Sequence, residues 1–153
     1  MSIKLIAIGN RMMGDDGVAV AVVEQLFHSL DELEIEVIIG ETDTDYCMAH
    51  IEEGDILLIL DAGYSGRTVG RVWSVSLLEA IQTANICSSQ HDVDIINAMK
   101  IKGLKVSGLL ICIEVSDICF RWGLSTELKQ RLPEICSEIN DLIIKYRREL
   151  ENA

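Results

Sequence analysis

Two aspartates and one histidine carry the chemistry this chain offers most plainly. Asp16 follows a short apolar run and a glycine-rich stretch, Asp61 ends the longest uninterrupted apolar run, and His91 closes the polar segment Ser88-Ser-Gln-His91 ahead of a helical pattern. Carboxylates are hard oxygen donors and imidazole is a borderline nitrogen donor, so the mixture suits zinc, nickel or a similar divalent ion. Asp15, Thr42, Asp43 and Asp45 extend the acidic surroundings. Each residue also has a plainer reading. Asp16 can serve as an acidic residue at a helix start, Asp61 as a strand terminator capping the next loop, and His91 as a surface residue near a helix start. Of the other two histidines, His28 falls late in the first helical pattern and His50 lies near Glu52 and Glu53. Both read as solvated.

Other chemistries are poorly served. Gly9, Gly14 and Gly17 do not form G-x-G-x-x-G, and no Lys-Ser/Thr pair follows them. Adjacent carboxylates at that point would repel a phosphate. There is no G-x-S-x-G elbow. The five cysteines (Cys47, Cys87, Cys112, Cys119 and Cys136) are odd in number and have no C-x-x-C spacing. They read as free thiols, with Cys112 and Cys136 as small buried hydrophobes, and point to a reducing compartment.

The elements that must position these residues follow from periodicity. Residues 3–8 read as a strand, and a helix beginning near Asp15 or Asp16 carries the stripe Val22, Val23, Leu26, Phe27, Leu30. A second strand spans 35–39, ended by Gly40, and a short helix covers 46–53. Asp55 to Asp61 is apolar between its ends, which implies burial on both faces and a central place. Residues 71–76 read as an edge strand and 77–83 as a helical turn. A helix follows His91 until Gly103, and 109–115 is the last core strand. The final helix spans 125–150, and Pro133 is expected to kink it or split it in two. The alternation predicts a three-layer α/β/α sandwich, with a mostly parallel twisted sheet of about five strands and one antiparallel edge strand. One domain over 1–153 is expected from the length. Ligands in such sheets bind beyond the carboxyl ends of the strands, where Gly9–Gly17, Gly40–Asp45 and Asp61 should converge.

Composition bounds the partners. A net charge of −12 disfavours nucleic acid and anionic membrane surfaces. No apolar stretch is long enough to span a bilayer and no signal peptide is visible, so a cytoplasmic protein is expected.

Gly9-Asn-Arg-Met-Met-Gly14-Asp-Asp-Gly17 after the first strand resembles the N-terminal signature of the hydrogenase maturation endopeptidases. Leu58-Ile-Leu-Asp-Ala62 resembles their central strand, and Ser89-Gln-His91 their Ser/Thr-x-His segment. Cys112-Ile-Glu114 with Gly123-Leu-Ser125 resembles their late strand and last helix start. The similarity runs through the whole chain in order. It implies an endopeptidase that removes the C-terminal extension of a nickel–iron hydrogenase large-subunit precursor after nickel insertion. Asp16, Asp61 and His91 would be both the catalytic and the metal-contacting residues. The nickel would arrive with the substrate protein, although another divalent ion could occupy the site in vitro. The metal would polarise the scissile carbonyl, activate water, or only position the tail while Asp16 or Asp61 moves protons. Asn10, Gly40 and Thr42 would contact substrate. Two departures stand out: Glu41 replaces the second of a usual glycine pair, and Val115 replaces a proline after Glu114. The alternatives are a non-catalytic module that senses nickel loading of a partner, and a small-molecule enzyme on a nucleotide-binding α/β fold.

Overall fold

The computed structural model describes residues 2–83 and 90–153, with only the backbone described at 90–93. Five strands form one sheet: β1 (Ile3–Ile8), β2 (Glu36–Glu41), β3 (Ile56–Gly63), β4 (Val72–Ser76) and β5 (Ser107–Glu114), in the order β2-β1-β3-β5-β4. All neighbours are parallel except β4, which runs antiparallel to β5 at the edge. The helices are α1 (Val18–Glu32), α2 (Thr44–Ala49), α3 (Leu77–Gln82), α4 (Gln90–Lys102) and α5 (Thr126–Glu151). The expected three-layer sandwich is what forms.

Strand alternation divides the core in two. Leu58, Leu60, Ala62, Ile111 and Ile113 face α1 and α5, meeting Val22, Val23, Leu128, Ile135 and Ile139. Leu57, Ile59, Leu110 and Cys112 face the other way, onto Met48, Leu77, Ala80, Ile95 and Met99 of α2, α3 and α4. Every residue of β3 is buried, as a central parallel strand requires. By the same alternation Asp61, two residues beyond Ile59, faces the layer that contains α4.

The chain departs from the sequence expectations in places that matter. α1 begins at Val18, because Gly14–Gly17 forms a separate 3-10 turn in which Asp15 and Asp16 are buried. β2 runs on through Gly40 to Glu41, whose carbonyl accepts from Gly9 N–H at 2.8 Å. α2 is earlier and shorter than expected because Asp43 caps it, accepting from Tyr46 N–H. α5 is one helix of 26 residues with Pro133 inside it, not two. Its stripe of Leu128, Leu132, Ile135, Cys136, Ile139 and Ile143 stays buried across the proline, so packing outweighs one lost backbone hydrogen bond. Cys112 is disulfide-bonded rather than a free thiol. Cys87 lies outside the described residues.

Candidate functional site

The sheet order puts β1 and β3 side by side, with β2 reached from β1 on one side and β5 on the other. Successive connections leave in opposite directions at that point, and their carboxyl ends open a crevice. Asp16 enters it from the loop after β1, and Asp61 from β3 itself.

Asp16 is 6% exposed and held from two sides. Asn10 N–H donates to Oδ2 at 2.8 Å, and the Tyr64 hydroxyl donates to Oδ1 at 3.0 Å. Gly9 makes this possible. Its φ is +130°, and a Cβ there would run into the carbonyl oxygen of Asp16, so only glycine lets the loop fold back so closely. Asp61 is fully buried, and its Oδ1 accepts from Ala62 N–H at 2.8 Å. Tyr64 bonds to Asp16 and lies within the electrostatic reach of Asp61. Burial pushes its phenol pKa far above the ordinary value, and the nearby charges of Asp16, Asp61 and Asp15 push it further. The phenol therefore remains a hydrogen-bond donor through the neutral range.

Asp15 has a different fate. Its carboxylate accepts from Ser116 N–H, Asp117 N–H, Ser125 N–H and the Ser125 hydroxyl, at 2.6 to 3.2 Å. It pins the loop after β5 and the first turn of α5, where Ser125 also caps the helix. A bridge between Met13 and Arg121 joins that loop to the one after β1. Met12, Phe120 and Trp122 stand exposed on the joined loops, and the Arg11 guanidinium lies 5.8 Å from the Trp122 ring centre.

Of the residues expected to meet substrate, Asn10 uses its side chain to accept from Met12 N–H at 2.9 Å, and Thr42 is exposed at the end of β2. Gly40 is buried, with the Cys47 sulfur where its side chain would go. A shallow groove lined by Ile8, Thr42, Thr44, Cys47 and Ile95 separates β2 from α4. Glu41 has φ +50°, a conformation that glycine takes freely, so this departure keeps a glycine-like backbone. Its carboxylate pairs with Arg11 at 2.8 Å. His91 falls in the first turn of α4, and its side chain lies outside the described residues.

One residue escaped the sequence, and a second was named there without its role. Tyr64 carries no motif; its position just beyond the carboxyl end of a central strand was the available signal. Glu114 is 2% exposed and accepts from Ser65 N–H at 2.7 Å and Arg67 N–H at 3.1 Å, fixing the loop that begins at Tyr64.

Among the described residues no group of three His, Cys, Asp or Glu side chains is placed to hold a metal ion. The donor chemistry of Asp16 and Asp61 nonetheless fits a divalent cation. Both are buried carboxylates near one phenol, and an α4 histidine is the kind of third donor that completes such a set.

The hydrogenase maturation protease family model HycI matches residues 20–142. This chain belongs to that family. Solved structures of similar fold include the hydrogenase maturating endopeptidase HybD from E. coli, at 18% identity and a TM-score of 0.75, covering 95% of this chain and 94% of that one. The [NiFe] hydrogenase maturation protease HybD from Thermococcus kodakarensis is 23% identical with a TM-score of 0.69, covering 93% and 99%. The endopeptidase HycI from Escherichia coli is 18% identical, also with a TM-score of 0.69, covering 92% and 90%. At these identities the likeness is one of fold. No curated protein sequence matches the chain. In this hydrogenase maturation protease, no helix among the described residues is long and apolar enough to cross a membrane.

Proposed function

We propose that the chain is the endopeptidase that removes the C-terminal extension of a nickel–iron hydrogenase large-subunit precursor once nickel has been inserted. The observation that carries this reading is the burial of Asp16 and Asp61 beside Tyr64 at the crevice between β1 and β3. Asp16, Asp61 and His91 are the residues that would meet the precursor's nickel. Three protein donors leave positions open for ligands that the precursor supplies. Nickel thereby marks the correct substrate and draws its tail into the crevice.

The hydrolysis needs water added across the scissile C–N bond. A carboxylate in reach of that water takes its proton and returns it to the leaving amine nitrogen. Asp16 and Asp61 are the acids available for this. Asn10 and Thr42, which follow β1 and β2, would line the path of an extended tail, and the buried Gly40 would shape its floor.

The test is incubation with nickel-loaded precursor and, separately, nickel-free precursor, followed by intact mass. Loss of a C-terminal peptide from the loaded form alone is the expected result. Capture of the loaded precursor with no change in mass would replace the peptidase by a module that senses nickel loading. No capture and no cleavage would remove the precursor as partner.

A further inference from the structure

We propose that Tyr64 is a positioning residue for this reaction: its hydroxyl fixes the Asp16 carboxylate, and Glu114 clamps the loop that brings it there. The proposal rests on the peptidase reading and adds to it a residue outside the family's resemblance motifs.

Three neighbouring strand ends take part. Asp16 comes from the 3-10 turn in the loop that follows β1, Tyr64 directly follows the last residue of β3, and Glu114 is the last residue of β5. The Tyr64 hydroxyl sits 3.0 Å from Asp16 Oδ1 while Asn10 N–H holds Oδ2. Donors from two different elements therefore fix the plane of the carboxylate. A ligating or proton-accepting carboxylate works best with its lone pairs aimed beforehand, and an outer partner is the usual means. The Tyr64 ring packs against the core shared by α1 and α5, so the phenyl group has its own structural place and the hydroxyl a separate one. The loop is held as well. Glu114 accepts from the Ser65 backbone and hydroxyl and from Arg67 N–H, while Arg67 donates to the Ser65 hydroxyl at 2.7 Å and lies 4.1 Å from the Trp73 ring centre. A tyrosine on an unclamped loop would not hold one rotamer against Asp16.

Tyr64→Phe removes the hydroxyl and leaves the ring. With nickel-loaded precursor, kcat should fall about tenfold or more while KM stays within about twofold. Titration of the free protein with Ni²⁺ alone should show an affinity about tenfold weaker. In an Asp16→Asn background, Tyr64→Phe should weaken Ni²⁺ binding no further. Equal kcat and equal Ni²⁺ affinity in Tyr64→Phe and wild type would overturn the proposal. So would an equal loss in both backgrounds, or an activity loss matched by loss of native protein in the thermal melt. Should Tyr64→Phe fail to fold, Glu114→Ala, which removes the acceptor, replaces it, with the same lowered kcat per folded molecule expected and an unchanged kcat overturning the proposal. The two readings fail separately. A wild type that binds Ni²⁺ but cleaves nothing ends the peptidase reading and leaves Tyr64 to the affinity comparison. One that cleaves but binds no free Ni²⁺ leaves it to kcat.

Discussion

Asp15 and Asp16 are adjacent in the chain yet serve different halves of the molecule. The first carboxylate accepts from Ser116, Asp117 and Ser125, more than a hundred residues away. The second accepts from Asn10, six residues away, and from Tyr64, just beyond the end of β3. One turn of 3-10 helix sends two like side chains to opposite tasks.

Stability and activity should therefore separate at these neighbours. Asp15→Ala leaves several backbone donors unpaired and should cost about 3–5 kcal/mol in urea unfolding. Asp16→Asn should change stability by less than about 1 kcal/mol, since an amide oxygen can still accept, but abolish precursor cleavage. Asp61→Asn and His91→Ala should abolish cleavage as well. Retained cleavage in all three site variants would sink the assignment.

The approach of Gly9 to Asp16 makes a second, steric prediction. Gly9→Ala adds a methyl group against the Asp16 carbonyl at φ +130° and should destabilise the protein by at least about 2 kcal/mol. Cleavage by the fraction that remains folded should also drop, because the Asp16 loop must move to make room. Wild-type turnover per folded molecule would contradict this.

At the opposite end of the sheet, Lys4 and Asp55 form a buried ion pair at 2.8 Å, with the Lys4 ammonium also donating to the His50 carbonyl. Burial alone would raise the Asp55 pKa, but hydrogen bonds from Lys4, Glu52 N–H and Ser2 outweigh it and lower it below 3.8. Burial alone would lower Lys4, and Asp55 outweighs that and raises it above 10.5. The Asp55 contribution is thus present above the ordinary carboxylate value and lost as pH falls through the lowered one. The Lys4 contribution is full below 10.5 and lost as pH rises through the raised value. Asp55→Asn should cost about 2 kcal/mol at neutral pH, between exposed and fully buried pairs. Its melting curve should also vary less with pH on the acid side than that of the wild type.

Thiol chemistry should be ordered by burial. Burial, helped by Asp43, pushes Cys47 to about 11, and burial pushes Cys136 to about 11. Only the thiolate reacts. Iodoacetamide near pH 8 should therefore label the half-buried Cys119 first and leave Cys47 and Cys136 largely unmodified, as peptide mapping would reveal. Comparable labelling of all three would contradict the burial seen here.

The layers of the fold were legible because they rest on local periodicity. The unbroken run of β3, the alternation of β4 and the stripe of α5 each state their surroundings in a few consecutive residues. Asp16 and Asp61 could be proposed because both stand at strand ends that topology gathers. Asp16 was singled out over Asp15, but the anchoring role of Asp15 was not legible, since its partners lie on the far side of the sequence. Tyr64, and the clamping role of Glu114, were missed for the same reason: their meaning lies in contacts at the carboxyl ends of β1, β3 and β5. Pro133 misled because a local rule about one lost hydrogen bond was set against a long buried stripe, and the stripe prevailed.

The two tryptophans of this chain stand in contrasting settings, Trp73 on the edge strand β4 and Trp122 on the loop after β5. Trp73 lies half-buried over Gly63 with Arg67 stacked on it, and Trp122 stands 73% exposed on the loop joined to Met13. One indole emits from a sheltered setting and the other from water. With a single-tryptophan variant of each, the protein carries one intrinsic fluorescent reporter on the edge strand and another on the loop joined to Met13. The order in which a bound tail disturbs the two places can then be timed without attaching any dye.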